Sequence, residues 1–74
     1  MNNIESQIKR LYLSPEEKKR IREIGAEYPD ATFDIKIIRM LSSRYPIKLI
    51  QIRVYEAQKD DYFHIWIERK SLTQ

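Results

Sequence analysis

The C-terminal third of the chain has the alternating pattern of a β-hairpin whose two faces differ in chemistry. If Tyr55 is paired with Tyr62, six apolar residues of the two strands fall on one face as three cross-strand pairs. The cross-strand pairs on that face are Ile50 with Ile67, Ile52 with Ile65 and Val54 with Phe63. Neighbouring residues of a strand point to opposite faces, so a shift of one residue would mix the two sets. We therefore predict antiparallel strands over about 48–55 and 62–69, with the aliphatic face toward the core.

The opposite face of this hairpin is aromatic and basic. It would carry Gln51, Arg53, Tyr55, Tyr62, His64 and Trp66. Tyrosine, tryptophan and arginine are the favoured anchors of protein interfaces, which predicts a protein partner. The same residues would suit nucleic acid, because bases stack on aromatic rings while arginine contacts phosphate. A third alternative is structural, in which a helix or a second copy of the chain covers these side chains.

Two helices are expected before the hairpin. The first covers about 4–11, where Ile4, Ile8 and Leu11 form one apolar stripe. The second begins at the sequence Ser-Pro-Glu-Glu of residues 14–17, which has the pattern of a capping box with proline in the first turn. It should run to about residue 25, where the only glycine of the chain would end it.

Residues 31–45 fit two secondary structures. As a helix, they place Lys36, Arg39 and Ser43 on an exposed side, where a winged-helix arrangement would use them to contact nucleic acid. As a strand over 32–38, they alternate between apolar and polar residues and would give a three-stranded antiparallel sheet with two helices. We expect the helix, because residues 42–45 lack the glycine, asparagine or aspartate that tight hairpins prefer. Both versions are α+β folds.

The size and composition of the chain indicate one small domain over residues 1–74. The chain has 42% hydrophobic and 34% charged residues, which is typical of a globular domain. It has no cysteine, one histidine and no glycine-rich phosphate loop, so we expect no metal, no cofactor and no enzymatic activity. A small nuclease centred on His64, with Arg53 and a neighbouring tyrosine, is a minor alternative.

The net charge of +3 allows nucleic acid as a partner without requiring it, because acidic residues are interspersed with the basic ones. We see neither a signal peptide nor an apolar stretch of membrane-spanning length, and expect a cytoplasmic protein with no membrane partner. The sequence thus predicts a small regulatory or inhibitory interaction module. It would bind a protein partner or a second copy of itself through the aromatic and basic face. Nucleic-acid binding is the alternative function.

Overall fold

Two helices precede a three-stranded antiparallel sheet in the computed structural model, which describes residues 2–41 and 46–69. The helices are α1 (Ile4–Arg10) and α2 (Pro15–Glu27). The strands are β1 (Thr32–Leu41), β2 (Pro46–Glu56) and β3 (Asp61–Arg69). The order in the sheet is β1-β2-β3, which makes β2 the central strand. The predicted α+β class is confirmed, in its version with three strands.

The expected helix over residues 31–45 is wrong, because β1 occupies most of this segment. The alternation of Phe33 and Ile35 with polar residues matches the aliphatic face of β2, so that Phe33 lies opposite Val54 and Ile35 opposite Ile52. Pairing with β2 satisfies the backbone along a strand whose apolar side is buried, and this outweighs the missing turn signal. Residues 42–45 themselves lie outside the described part of the chain.

The predicted hairpin is confirmed residue by residue. Tyr55 lies opposite Tyr62, and Ile52 lies opposite Ile65. Four turn residues connect the strands, and among them Asp60 has a positive φ of 50°, a conformation that aspartate tolerates better than most residues. Both strands are slightly longer than the sequence indicated.

Both helices pack on the aliphatic side of the sheet. Their apolar residues join those of β1 and β2 in one core, in which the side chains of Ile21, Ile24, Phe33, Ile35, Ile50, Ile52 and Val54 are buried almost completely. The three β3 residues on this side, Phe63, Ile65 and Ile67, are only partly buried. The core is therefore centred on β1 and β2 and thins toward β3.

The capping box that begins α2 is confirmed. The Ser14 hydroxyl accepts a hydrogen bond from the Glu17 amide at 3.1 Å, and the Glu17 carboxylate accepts one from the Ser14 amide at 2.8 Å. The expected stop at Gly25 is wrong, because α2 continues to Glu27 and Gly25 has no positive φ. A Cβ at Gly25 would lie only 3.2–3.3 Å from atoms of Ile4, so glycine allows the two helices to approach closely.

Polar side chains of α1 and its N-terminal flank bind the outer backbone edge of β1. Asn3 accepts a hydrogen bond from the Phe33 amide at 2.7 Å and donates one to the Phe33 carbonyl at 2.8 Å. Gln7 accepts from the Ile35 amide at 3.0 Å, and Arg10 donates to the Ile35 carbonyl at 2.8 Å. Four helical residues rise about as far as two strand residues, which allows this match. One edge of the sheet is thus covered by the chain itself.

An ion pair of low exposure joins α2 to the end of β3. The Arg69 guanidinium contacts both Glu17 oxygens at 3.0 and 3.1 Å and also donates to the Tyr12 carbonyl at 3.0 Å. Burial by itself raises the pKa of Glu17, but the hydrogen bonds from Arg69 and Ser14 outweigh it and leave that pKa below its ordinary value of 4.5. The ionised carboxylate is therefore the form that the fold stabilises.

The difference between the two sheet faces predicts unequal effects of truncation on stability. Ile52 is fully buried, so Ile52→Ala should lower the free energy of unfolding by about 2–5 kcal/mol. The Trp66 side chain is 52% exposed, and Trp66→Ala should cost less than about 1 kcal/mol. Urea denaturation of dilute protein measures both. A folded Ile52→Ala variant beside an unfolded Trp66→Ala variant would contradict the assignment of the faces.

The lowered pKa of Glu17 predicts how stability depends on pH. The contribution of Glu17 to the free energy of unfolding is complete above about pH 4.5, its pKa in the unfolded chain. This contribution is lost as the pH falls through the lower pKa of the folded state. Glu17→Gln should therefore be less stable than the wild type at pH 7, with a difference that shrinks in acid. Glu16→Gln removes the same charge from the same helical turn and serves as the control, because no described contact joins Glu16 to Arg69. A Glu17→Gln deficit that stays constant from pH 7 to about pH 3 would contradict this account.

Candidate binding face on the open side of the sheet

The six residues predicted to form a binding face lie on the side of the sheet away from both helices. We call this side the open face. It comprises every second residue of each strand, beginning with residue 32 and ending with 38 in β1, from 49 to 55 in β2, and from 62 to 68 in β3. Three of its aromatic side chains are exposed in large part, with Tyr55 at 38%, Tyr62 at 54% and Trp66 at 52%. The sheet therefore presents these rings to solvent rather than to the core.

Three rings form a column along β3. The centroids of Tyr62 and His64 are 5.6 Å apart with nearly perpendicular planes, and those of His64 and Trp66 are 6.0 Å apart and tilted. Each ring stands on an alternate residue of one strand, so the backbone of β3 sets their spacing. We call Tyr62, His64 and Trp66 the aromatic column. The edge-to-face contact of Tyr62 with His64 and the tilted contact of His64 with Trp66 restrain the rings before any partner is bound.

Arg53 lies beside this column on the central strand. Its guanidinium carbon is 5.0 Å from the centroid of the Tyr62 ring, within the range of a cation–π contact. Its Nε also donates to Nε2 of His64 at 3.4 Å, a long hydrogen bond. On the same strand, the Tyr55 hydroxyl donates to Asp60 at 3.1 Å. Arginine and tyrosine are thus oriented by neighbours within the sheet and the turn.

The charges of the open face balance. Arg53 lies opposite Asp34 in the register of β1 and β2, and Lys36 follows Asp34 by two residues on the same strand. Glu68 ends the row on β3. The face therefore holds basic and acidic side chains in equal measure around its aromatic residues, unlike the segregated positive surface typical of proteins that bind phosphate backbones.

The fold does not bring together the described residues of the alternative nucleic-acid site predicted from the sequence. Lys36 and Arg39 lie an odd number of residues apart on β1 and therefore on opposite faces of the sheet, with Lys36 on the open face. Ser43 lies outside the described part of the chain. The exposed recognition helix on which this set depended is replaced by a strand, so the winged-helix arrangement is wrong.

The basic stretch of α2 is partly paired with carboxylates. Arg22 binds Glu5 at 2.9 Å, and Arg20 lies 3.9 Å from Glu23. These exposed pairs stabilise little by themselves, but they mask part of the positive charge of the helix. They also lie on the side of the sheet that faces away from the aromatic column.

The described residues offer little that resembles a catalytic or metal centre. Among them, no three histidine, cysteine or acidic residues stand close enough together to hold a metal ion. A cleft of about 380 Å³ lies between the end of α2 and the β2–β3 turn, and it is lined by the carboxylates Glu27, Asp30 and Glu56 and by Lys59. None of the six residues of the predicted face lines it. No helix in the described ranges is long and apolar enough to cross a membrane.

The sequence-based prediction omitted the contribution of β1 to the open face. Asp34 and Lys36 widen the face from two strands to three and determine its charge balance. The signal was present as the alternation of Phe33, Ile35 and Ile37 with polar residues, but the helical interpretation assigned the intervening positions to a different surface.

Searches against protein-family models, curated proteins and solved structures find no match for the chain.

Proposed function

We propose that the protein is a small, non-enzymatic interaction module that binds a protein partner through the open face of its sheet. The observation that carries this proposal is the exposure of Tyr55, Tyr62 and Trp66 around Arg53, on a face that neither helix covers. Isolated exposed apolar residues are normal, but a contiguous aromatic surface on a small domain is typical of an interaction site. As part of the same proposal, the module acts in a regulatory or inhibitory role through the partner that it binds.

The chemistry of the face favours a protein over a nucleic acid. Aromatic rings and a desolvated arginine are the residues that contribute most energy at protein interfaces. Their restraint by contacts such as that of Arg53 with Tyr62 reduces the entropy lost on binding. The presence of Asp34 and Glu68 on the same face opposes a polyanion while remaining compatible with a partner of mixed charge.

Nucleic-acid binding is supported by one specific observation, the aromatic column. Rings spaced along one strand at 5.6 and 6.0 Å could stack with bases of a single strand. Such binding would need phosphate contacts from Arg53 and Lys36, and it would weaken steeply as salt is added. The two functions therefore differ in their dependence on ionic strength.

Matched double variants test the proposed function. Arg53→Ala with Tyr55→Ala removes two residues of the open face, whereas Arg20→Ala with Tyr12→Ala removes the same residue types from exposed positions outside it. Affinity purification from cell extract should recover a protein with the wild type and the control pair but not with the face pair. The recovered protein, once purified, should bind the wild type at least tenfold more tightly than the face variant and should tolerate about 0.5 M salt.

Two results with these variants and with the wild type would contradict the proposal. Equal binding of the purified partner by the face and control variants would show that the open face is not the binding site. Trp66 is the only tryptophan, so its fluorescence can be followed as a single-stranded oligothymidylate of about twenty nucleotides is added. Saturable quenching that disappears at high salt would favour the nucleic-acid function instead.

A further inference from the structure

Among the residues that the structure describes, none forms a strand beside the outer edge of β3. The side chains that bind Phe33 and Ile35 show that the backbone groups of these residues point away from β2. Because the two sides of an antiparallel ladder alternate, the register then directs the backbone groups of Tyr62, His64, Trp66 and Glu68 away from β2 as well. Of these, the Tyr62 amide donates to Asp61 of its own chain at 2.8 Å.

The two edges of the sheet differ. The edge at β1 is occupied by α1 along Phe33 and Ile35, where a further strand would collide with the helix. The edge at β3 is nine residues long and contains no proline or bulge of the kind that commonly blocks such edges. It also carries apolar side chains on both faces, because Ile65 is only partly buried on one side and Trp66 is exposed on the other.

We propose that β3 pairs antiparallel with β3 of a second copy of the chain, which makes one continuous six-stranded sheet. A two-fold axis at Ile65 pairs each residue with a chemically compatible one. Across the axis, Ile65 of one copy lies opposite Ile65 of the other. The further pairs between the two copies are His64 with Trp66, Phe63 with Ile67, Tyr62 with Glu68 and Asp61 with Arg69. This inference concerns the edge of the sheet and does not depend on the proposed partner of the open face.

Three properties of this register favour a second copy over an unrelated strand. The apolar row of Phe63, Ile65 and Ile67 continues across the axis and covers the side where the core thins. The acidic start of β3 meets its basic end, so Asp61 approaches Arg69, which already binds Glu17. The register also satisfies backbone groups at the edge, since His64 and Trp66 exchange amide and carbonyl hydrogen bonds with their counterparts.

The new ladder would also join the two open faces. His64 and Trp66 point to the open side in each copy, so the two aromatic columns would run next to each other in opposite directions. A dimer therefore presents twice the aromatic surface to a partner without a change in either domain. Small domains with a limited core commonly gain stability by such association.

Cysteine cross-linking tests the register, because the chain contains no cysteine of its own. In the proposed dimer, the two Ile65 positions face each other in a non-hydrogen-bonded pair at a Cα separation of about 4.5–5.5 Å, which a disulfide can bridge. Ile65→Cys should therefore form a covalent dimer under mild oxidation. Ile67→Cys is the matched control; each Ile67 would lie opposite Phe63 of the other copy, four residues along the strand from the other Ile67, and should not cross-link efficiently.

A proline tests the backbone pairing by an independent route. His64→Pro removes an amide that points away from β2, which edge strands tolerate, but it blocks the ladder with a second copy. His64→Ala keeps that amide and is its control. By light scattering coupled to size-exclusion chromatography, the dissociation constant of the dimer should rise at least tenfold for proline and much less for alanine, while circular dichroism stays that of the folded monomer.

Several outcomes would overturn the inference. The wild type could remain monomeric at millimolar concentration, or it could dimerise with equal strength when position 64 is proline. Preferential cross-linking of Ile67→Cys over Ile65→Cys would refute the register. Loss of partner binding in the Arg53→Ala and Tyr55→Ala variant with an unchanged dimer would leave this inference standing, because those residues belong to the central strand. The failure of one proposal is thus distinguishable from the failure of the other.

Discussion

The antiparallel pairing of β1 with β2 sets the width of the sheet and the direction of the backbone groups at its two edges. It turns a hairpin, which would be marginal alone, into a three-stranded sheet with one continuous aliphatic side. It also directs the outer amides of β1 toward Asn3 and Gln7, which places α1 against that edge. In the described part of the chain, neither helix lies against the opposite edge or the open face.

The helices then determine which surfaces can interact. Two short helices supply enough apolar surface for one side of the sheet only, and Ile4, Ile21 and Ile24 pack on the side with Ile52 at its centre. The helices bury the aliphatic residues of β1 and β2 more completely than those of β3, where Ile65 remains partly buried. Both proposals follow from this asymmetry. Neither helix covers the open face, and within the described ranges no strand pairs with the outer edge of β3, next to its incompletely buried side chains.

Much of this arrangement could be predicted from local patterns. The hairpin register is consistent with alternation, since the pairing of Tyr55 with Tyr62 places the aliphatic residues at 50, 52 and 54 on the same face as Ile65 and Ile67. The capping box at Ser14 is a local signal with a local cause. The location of the six residues on one face follows from the same alternation, whereas the exposure of its aromatic rings depends on where the helices pack.

The remaining features depend on contacts between distant segments. Phe33 and Ile37 fit the spacing of a helix as well as that of a strand, and only the pairing with β2 decides between them. Gly25 resembles a helix stop in the sequence, whereas its close approach to Ile4 exists only after the helices pack. Likewise, Asn3, Gln7 and Arg10 are ordinary polar residues of a helical segment until a strand edge lies beside them. Local propensity could not have assigned these roles.

Amide hydrogen exchange, followed by NMR at increasing protein concentration, shows whether β1 is covered by its own chain while β3 keeps a free edge that a second copy can occupy. This arrangement predicts that the amides of Phe33 and Ile35 are protected at every concentration, because side chains near the N-terminus bind them. It predicts that the amides of His64 and Trp66 exchange rapidly in dilute protein and become protected as the concentration rises, while Ile65 is protected throughout. Protection of His64 and Trp66 that is independent of concentration, or rapid exchange of Ile65, would contradict the register and the free edge of β3.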